Sequence, residues 1–313
     1  MKTTDLIGCV GTATALLLIS SLIPFVGPFL SFLVPLPFLY FATKFGFLEG
    51  AKTLALSLVV VGLIGHLLKY PQLLFLCLEF GIMGLIISYL YHLKLSIGRT
   101  ITLGTGLMLL VGFVMLSVLG FTRNMGPIEL LLNYVSNTLS DTAKIYGNMA
   151  ANQDKTVELQ QYAKALISIV RKTYPALTIL GTGLIVWLNV VLSKPLFLAG
   201  KLQYPDFGFL DQWRSPEPMV WVVIVAGFSL FLPVGGIRWV SVNVFIVFMT
   251  VYAFHGLSIV LFFLNKYRAP AWIRFAVYFL IFFQQIFLLV LALAGLFDQW
   301  VDFRRIHQRK AVS

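Results

Sequence analysis

Nine long apolar runs, at about 6–22, 24–43, 51–68, 72–92, 100–121, 174–193, 218–236, 239–263 and 272–296, dominate the chain. Runs of about 18 or more apolar residues are long enough to cross the hydrocarbon core of a bilayer as helices, and no soluble core can hide so many. Charged residues make up 11% of the 313 residues, against roughly 25% in a soluble domain. The mean hydropathy is +0.92. A transmembrane β-barrel would show short alternating segments instead. The pattern predicts an all-α, polytopic transmembrane helical bundle with eight or nine spans.

The runs divide the chain into three parts. Residues 1–121 form an N-terminal five-span membrane bundle, 122–173 an extramembrane amphipathic helical segment, and 174–313 a C-terminal membrane bundle with a short basic tail. In the middle part Leu159, Tyr162, Leu166 and Ile169 recur at three- and four-residue steps, an amphipathic stripe. Asn152 and Asp154 are placed to cap its start, and Pro175 to kink the chain as it passes into the sixth span.

The formal net charge of +11 does not indicate nucleic-acid binding. Lys and Arg stand mostly at the ends of apolar runs, where they snorkel to headgroups and set topology. They divide almost evenly between the two sides for nine crossings with an inner N-terminus. If 218–236 turns back at "LPVGG", the balance leans weakly to eight crossings with both termini cytoplasmic. Cys9 and Cys77 have neither metal-ligand nor disulfide spacing. "LIGC" at 6–9 lacks the apolar stretch that a lipoprotein cleavage box needs before it, and the first span is read as retained.

The second run, "IPFVGPFLSFLVPLPFLYF", holds Pro24, Pro28, Pro35 and Pro37. Proline in a span breaks the helix and frees carbonyls, which protein or a water-filled cavity must satisfy. The segment is either a tight hairpin or a discontinuous lining of a binding site, with Pro35 and Pro37 in that lining.

An ionisable group at membrane depth is costly and points to function. Glu79, in "LLFLCLEFGIMGL", lies near the middle of its span. It contacts a solute or couples a proton, pairs with Lys52, or stays neutral between helices. His66 reads as interfacial, and for His255 a hydrogen bond between helices suffices. Asn189, Asn243, Gln284 and Gln285 are span amides of the kind that join helices, and Asn189 is a candidate for the lining of a polar cavity. No metal site is expected, because no second ligand follows any of these at the required spacing.

"LGTGL" occurs at 103–107 and at 180–184. Inside a span it cannot be a phosphate loop, and Gly104, Gly106, Gly181 and Gly183 read as close-packing positions. There is no nucleophile elbow, HExxH or P-loop, so neither enzyme activity nor a cofactor is expected.

The last run leads into "GLFDQWVDFRR". Asp298, Asp302 and Arg305 share one helical face. Asp302 is spaced to pair with Arg305, while Asp298 and Asp302 repel unless a cation is near. Trp300 suits the headgroup layer, and Arg304, Arg305, Arg309 and Lys310 suit an anionic leaflet. The cluster is read as a membrane anchor and topological stop. Two aspartates without a third ligand make a poor metal site.

Three stretches, "GPFLSFLVPLPFLYFATKFG", "YPALTILGTGLIVWLNVVL" and "AGLFDQWVDFRR", together resemble the YybS-like family of bacterial multi-pass membrane proteins, over roughly residues 5–305. The first part of that family is similar to the solute-binding S components of energy-coupling-factor transporters. The resemblance implies an S-component-like core with extra C-terminal spans, in a bacterial cytoplasmic membrane. In S components a small-residue face on the first helix docks a coupling subunit, and Gly11 with Ala15 is the nearest match here.

Two functions follow as expectations. One is an integral inner-membrane protein that binds or helps to transport a small solute, with Glu79, Pro35, Pro37 and Asn189 at the site. The other is a non-catalytic envelope scaffold that recruits partners through 122–173. The lipid bilayer is a partner in both.

Overall fold

A computed structural model describes residues 3–23, 26–149 and 153–305. Met1, Pro24, Asn152, Arg309 and Lys310 lie outside the described residues. Twelve helices and one 3-10 turn make up the structure, with no strand among the described residues. The chain forms two compact units: residues 1–142 with 181–206, and residues 143–180 with 207–313.

The first unit holds α1 (Thr3–Leu22), α2 (Gly27–Ser31), α3 (Pro35–Phe45), α4 (Phe47–Leu68), α5 (Gln72–His92), α6 (Ile97–Thr122) and most of α7 (Pro127–Met149). It also includes the second part of α8 (Gln153–Ala199). α3 packs on α4 and α5, α1 on α2 and α4, and α6 on α5. Gly104 of α6 faces Val186, and Gly183 faces Thr105, so both sit at packing positions; Gly106 and Gly181 have open space beside them. In the polar segment 122–173, α7 covers 127–149, and α8 runs from 153 through residue 173 without a break.

The second unit contains the first part of α8, a 3-10 turn at Leu210–Gln212, α9 (Met219–Ser229), α10 (Gly235–Lys266), α11 (Ala271–Phe283) and α12 (Gln285–Val301). α10 is its centre, packed against α9, α12 and the 3-10 turn.

Five helices are long and apolar enough to cross a membrane: α4, α5, α6, α10 and the Leu159–Ala199 part of α8. α11 and α12 make a sixth if joined, although the chain bends by 101° between them. The nine runs therefore exceed the long straight helices, and local chemistry explains why. The second run breaks at its prolines into α2 and α3. The 218–236 run stops after the 11 residues of α9, about 16 Å at 1.5 Å per residue and short of a hydrocarbon core of roughly 30 Å. Pro233, Gly235 and Gly236 follow it, and α10 turns back along it.

Two asparagines serve backbone groups beside prolines. Pro175 removes a donor from the α8 ladder. Beside it the Asn243 amide of α10 donates from Nδ2 to the Lys172 carbonyl at 2.8 Å and accepts the Ala176 N–H on Oδ1 at 2.9 Å. The side chain thus links the N–H and the carbonyl that form one rung of the helix beside Pro175. In the first unit, Leu36 N–H turns to the Leu33 carbonyl and Pro35 has no N–H, so the Phe32 carbonyl lacks a helical donor. Asn189 of α8, fully buried, supplies one from Nδ2 at 2.9 Å.

Four helices end in the Schellman pattern, in which an N–H bonds five residues back past a left-handed residue. Tyr70 bonds to Gly65, Met125 to Gly120, Leu202 to Phe197 and Ala269 to Leu264. The left-handed residues are Lys69, Asn124, Lys201 and Arg268. Glycine usually fills that place, but a cation there gains from the negative end of the helix dipole.

Candidate functional site

In the first unit Glu79 lies at the middle of α5, half-buried. Among the described residues no donor or cation lies within bonding reach of its carboxylate. The pairing with Lys52 does not form: Lys52 holds Glu49, one turn back on α4, at 2.6 Å. Pro35 and Pro37 open α3, where a missing N–H breaks no bond within that helix. Asn189 is committed to the Phe32 carbonyl and, also through Nδ2, to that of Ile185. Neither bond reaches Glu79, and the amide joins helices as the sequence suggested for this residue type. Gly11 and Ala15 are exposed on one face of α1, with nothing within 4 Å of a Cβ placed on Gly11.

A second polar spot in this unit was not legible in the sequence. Tyr91 Oη lies 2.7 Å from Ser193 Oγ, and Tyr204 donates to the Val190 carbonyl at 2.9 Å. Phe197 meets both tyrosine rings edge-on. Burial pushes the Tyr204 phenol up to about 12, so it remains a donor at neutral pH.

The second unit holds the densest polar cluster, and glycines allow it to form. A Cβ on Gly256 of α10 would collide with the Leu291 carbonyl, and one on Gly295 of α12 with the Tyr252 carbonyl. The two backbones are therefore in direct contact, and the neighbours of these glycines are forced together. His255 Nε2 lies 3.1 Å from Asp298 Oδ2, with both side chains buried. His255 Nδ1 lies 3.0 Å from Ser215 Oγ, from the segment before α9. Gln299 Nε2 donates to the same hydroxyl at 2.9 Å. The Phe303 N–H donates to Asp298 Oδ1 at 2.8 Å.

Arg304 completes the cluster. The chain turns at Asp302, left-handed with φ 46°, and brings Arg304 back against α10. Its Nη2 donates to the Trp213 carbonyl at 3.1 Å and to Ser258 Oγ at 2.9 Å, and lies 3.9 Å from Asp298 Oδ2. Burial pulls its guanidinium below the ordinary value, and the Asp298 carboxylate opposes that shift. It remains charged, as arginine does in proteins. Asp298 and Arg304, read from sequence as part of an anchor at the leaflet, are thus placed inside the unit. Asp302 pairs with Arg214 at 2.8 Å and accepts the backbone N–H of Arg305, rather than its guanidinium, at 3.2 Å. Trp300 and Arg305 are exposed. The cation that Asp298 and Asp302 need to stand one turn apart is supplied by the two arginines.

Ser215, Trp213, Arg214 and Gln299 escaped the sequence reading, because their partners lie 40 to 91 residues away. A signal was present in the glycine beside the histidine in "FHGLS" and the one three residues before the aspartate in "GLFD". Serine, histidine and aspartate here are connected like a nucleophile, base and acid. The serine, however, is 4% exposed and its oxygen already accepts from Gln299. Among the described residues no group of three His, Cys, Asp or Glu side chains is placed to hold a metal ion.

No curated protein and no solved structure matches the chain. A family model does match, over residues 12–299, which is most of the chain. With its apolar helices and inward-turned span polar groups, the chain belongs to the family described as predicted membrane protein DUF2232, and it is a multi-pass integral membrane protein.

Proposed function

We propose that this protein binds a small, positively charged solute within its N-terminal unit and helps to move it across the membrane. Glu79 carries the proposal. A charged carboxylate at mid-span, half-buried and without a cation or donor among the described residues, is costly unless it is compensated, and a cationic solute would compensate it. An ammonium or guanidinium group on a solute meets that need. The resemblance of the first part of the chain to YybS-like proteins and to solute-binding S components supports the same reading, as does the outward small-residue face at Gly11 and Ala15. Neither resemblance supplies a particular solute. The reading is of a binding protein without chemistry of its own, seated in a bacterial cytoplasmic membrane.

The test is thermal melting of the purified protein in lipid nanodiscs against primary amines, quaternary ammonium compounds and guanidinium compounds. A ligand at a hundred times its Kd stabilises by about 2.7 kcal/mol. At least one class should raise the Tm of the wild type and leave Glu79→Gln unmoved. If no class acts, or if the variant responds as the wild type does, the proposal fails.

A second reading, recruitment of a partner by the middle segment, draws on exposed apolar side chains there. Tyr134 and Ile145 of α7, with Tyr162, Leu166 and Ile169 of α8, are more than half exposed. Affinity capture with these residues changed to serine separates the readings: a scaffold loses its partners, whereas a solute-binding protein keeps its ligand response.

A further inference from the structure

The bonds around His255 have a fixed sense. With Nε2 protonated towards Asp298, Nδ1 must accept, so the Ser215 hydroxyl donates to it while accepting from Gln299. The ring is then neutral, and Asp298 is balanced by Arg304. Among the described residues, Arg304 Nε and the Tyr252 hydroxyl of this cluster are left without a hydrogen-bond partner. The Tyr252 hydroxyl is wholly buried, lacks a hydrogen bond, and lies close enough to Ser215 and Gln299 to interact with both.

A second proton on the ring would reverse this sense without moving a helix. Nδ1–H would donate to Ser215, and the Ser215 hydroxyl would swing its hydrogen to the waiting Tyr252 oxygen. The added charge would face Asp298 Oδ2, the oxygen that Arg304 also approaches. The charged and titratable groups around the ring are few. α12 and its turn contribute Asp298 and Arg304, and α10 contributes Tyr252. The segment before α9 contributes Arg214, paired with Asp302, and Asp211, bonded to Asn265. α9 has no ionisable residue, and Arg274 of α11 is held by Asn265.

We propose that His255, clasped between Asp298 and Ser215, is a proton-binding site inside the membrane unit, and that the segment 210–216 reads its occupancy. That segment depends on the cluster: Ser215 bonds the ring, the Trp213 carbonyl accepts from Ser258 and Arg304, and Arg214 bonds Asp302. Reversing the Ser215 hydroxyl keeps its bond to the ring, now as acceptor, and adds one to Tyr252, so the segment is held more firmly. Chains of histidine and acid at membrane depth serve as proton relays in transport proteins, and this cluster has the parts for one.

The chain has four histidines. Replacing His66, His92 and His307 by Gln leaves His255 alone for nitrogen NMR of 15N-histidine-labelled protein in micelles; His66 and His92 are exposed. At pH 8 the ring should carry its proton on Nε2, and at pH 5 on both nitrogens. Asp298→Asn should reduce the doubly protonated fraction at pH 5. Amide exchange across 210–216, corrected for the intrinsic effect of pH, should be about tenfold slower in the protonated form. A ring that stays singly protonated down to pH 5 overturns the proposal, as does a titration indifferent to Asp298→Asn. Unchanged exchange across 210–216 while the ring titrates overturns the part assigned to the segment.

Discussion

Asn243 bonds Lys172 and Ala176 with the two ends of one amide, 2.8 and 2.9 Å away, and so links one rung of α8 beside Pro175. Asn243→Ala should destabilise the protein by about 1 kcal/mol, because the Ala176 N–H and the Lys172 carbonyl both lose their partner. Pro175→Ala restores a ladder donor, and in that background the same substitution should cost markedly less. A double-mutant cycle by denaturation in mixed micelles measures the coupling. Additive costs would mean that the amide does not serve the proline.

The first unit repeats the device with Asn189 and the Phe32 carbonyl. Asn189→Leu keeps the volume and removes the donor, at a cost of about 1–3 kcal/mol. Asn189→Gln should not restore stability, since the longer side chain misplaces its amide in a fully buried position. Urea denaturation midpoints of the three proteins in micelles test this.

Glycines in this chain differ in what they permit. Gly256→Ala drives a methyl into the Leu291 carbonyl, and the loss should reach about 3 kcal/mol, with His255 parted from Asp298. Gly106→Ala meets open space and should stabilise α6 by about 0.5–1 kcal/mol. Thermal melts of the two variants should therefore move in opposite directions.

Ser215 should resist fluorophosphonate probes. Its hydroxyl is enclosed by His255, Gln299 and Tyr252, and an attacking serine needs a carbonyl or phosphoryl group within reach. Mass spectrometry of probe-treated protein in nanodiscs is the check. A label on Ser215 that disappears in His255→Gln would make the trio a hydrolase site.

How far the sequence could be read depended on distance along the chain. Apolar periodicity and length placed α4, α5, α6 and α10 within a few residues, because these helices follow from local composition. Prolines marked where the second run would break, whereas α8 continues through Pro175 as one helix. What serves the backbone beside these prolines was not legible, since Asn189 and Asn243 reach it from 157 and 67 residues away. The tail shows the same limit. Spacing alone put Asp298, Asp302 and Arg305 on one helical face, as in a continuous helix. A left-handed turn at Asp302 ends that helix and sends Arg304 inward.

The lysine and arginine that close α4, α8 and α10 in left-handed turns do two jobs at once. A cell's insertion machinery orients a chain by the positive charges it keeps on one side, yet these charges are placed by helix polarity, at C-terminal ends, whichever side those ends reach. Lys69→Gly keeps the turn and deletes the charge. For this chain, then, the compass used to orient membrane proteins carries a built-in deviation, and its heading is best taken after the capping residues are set aside.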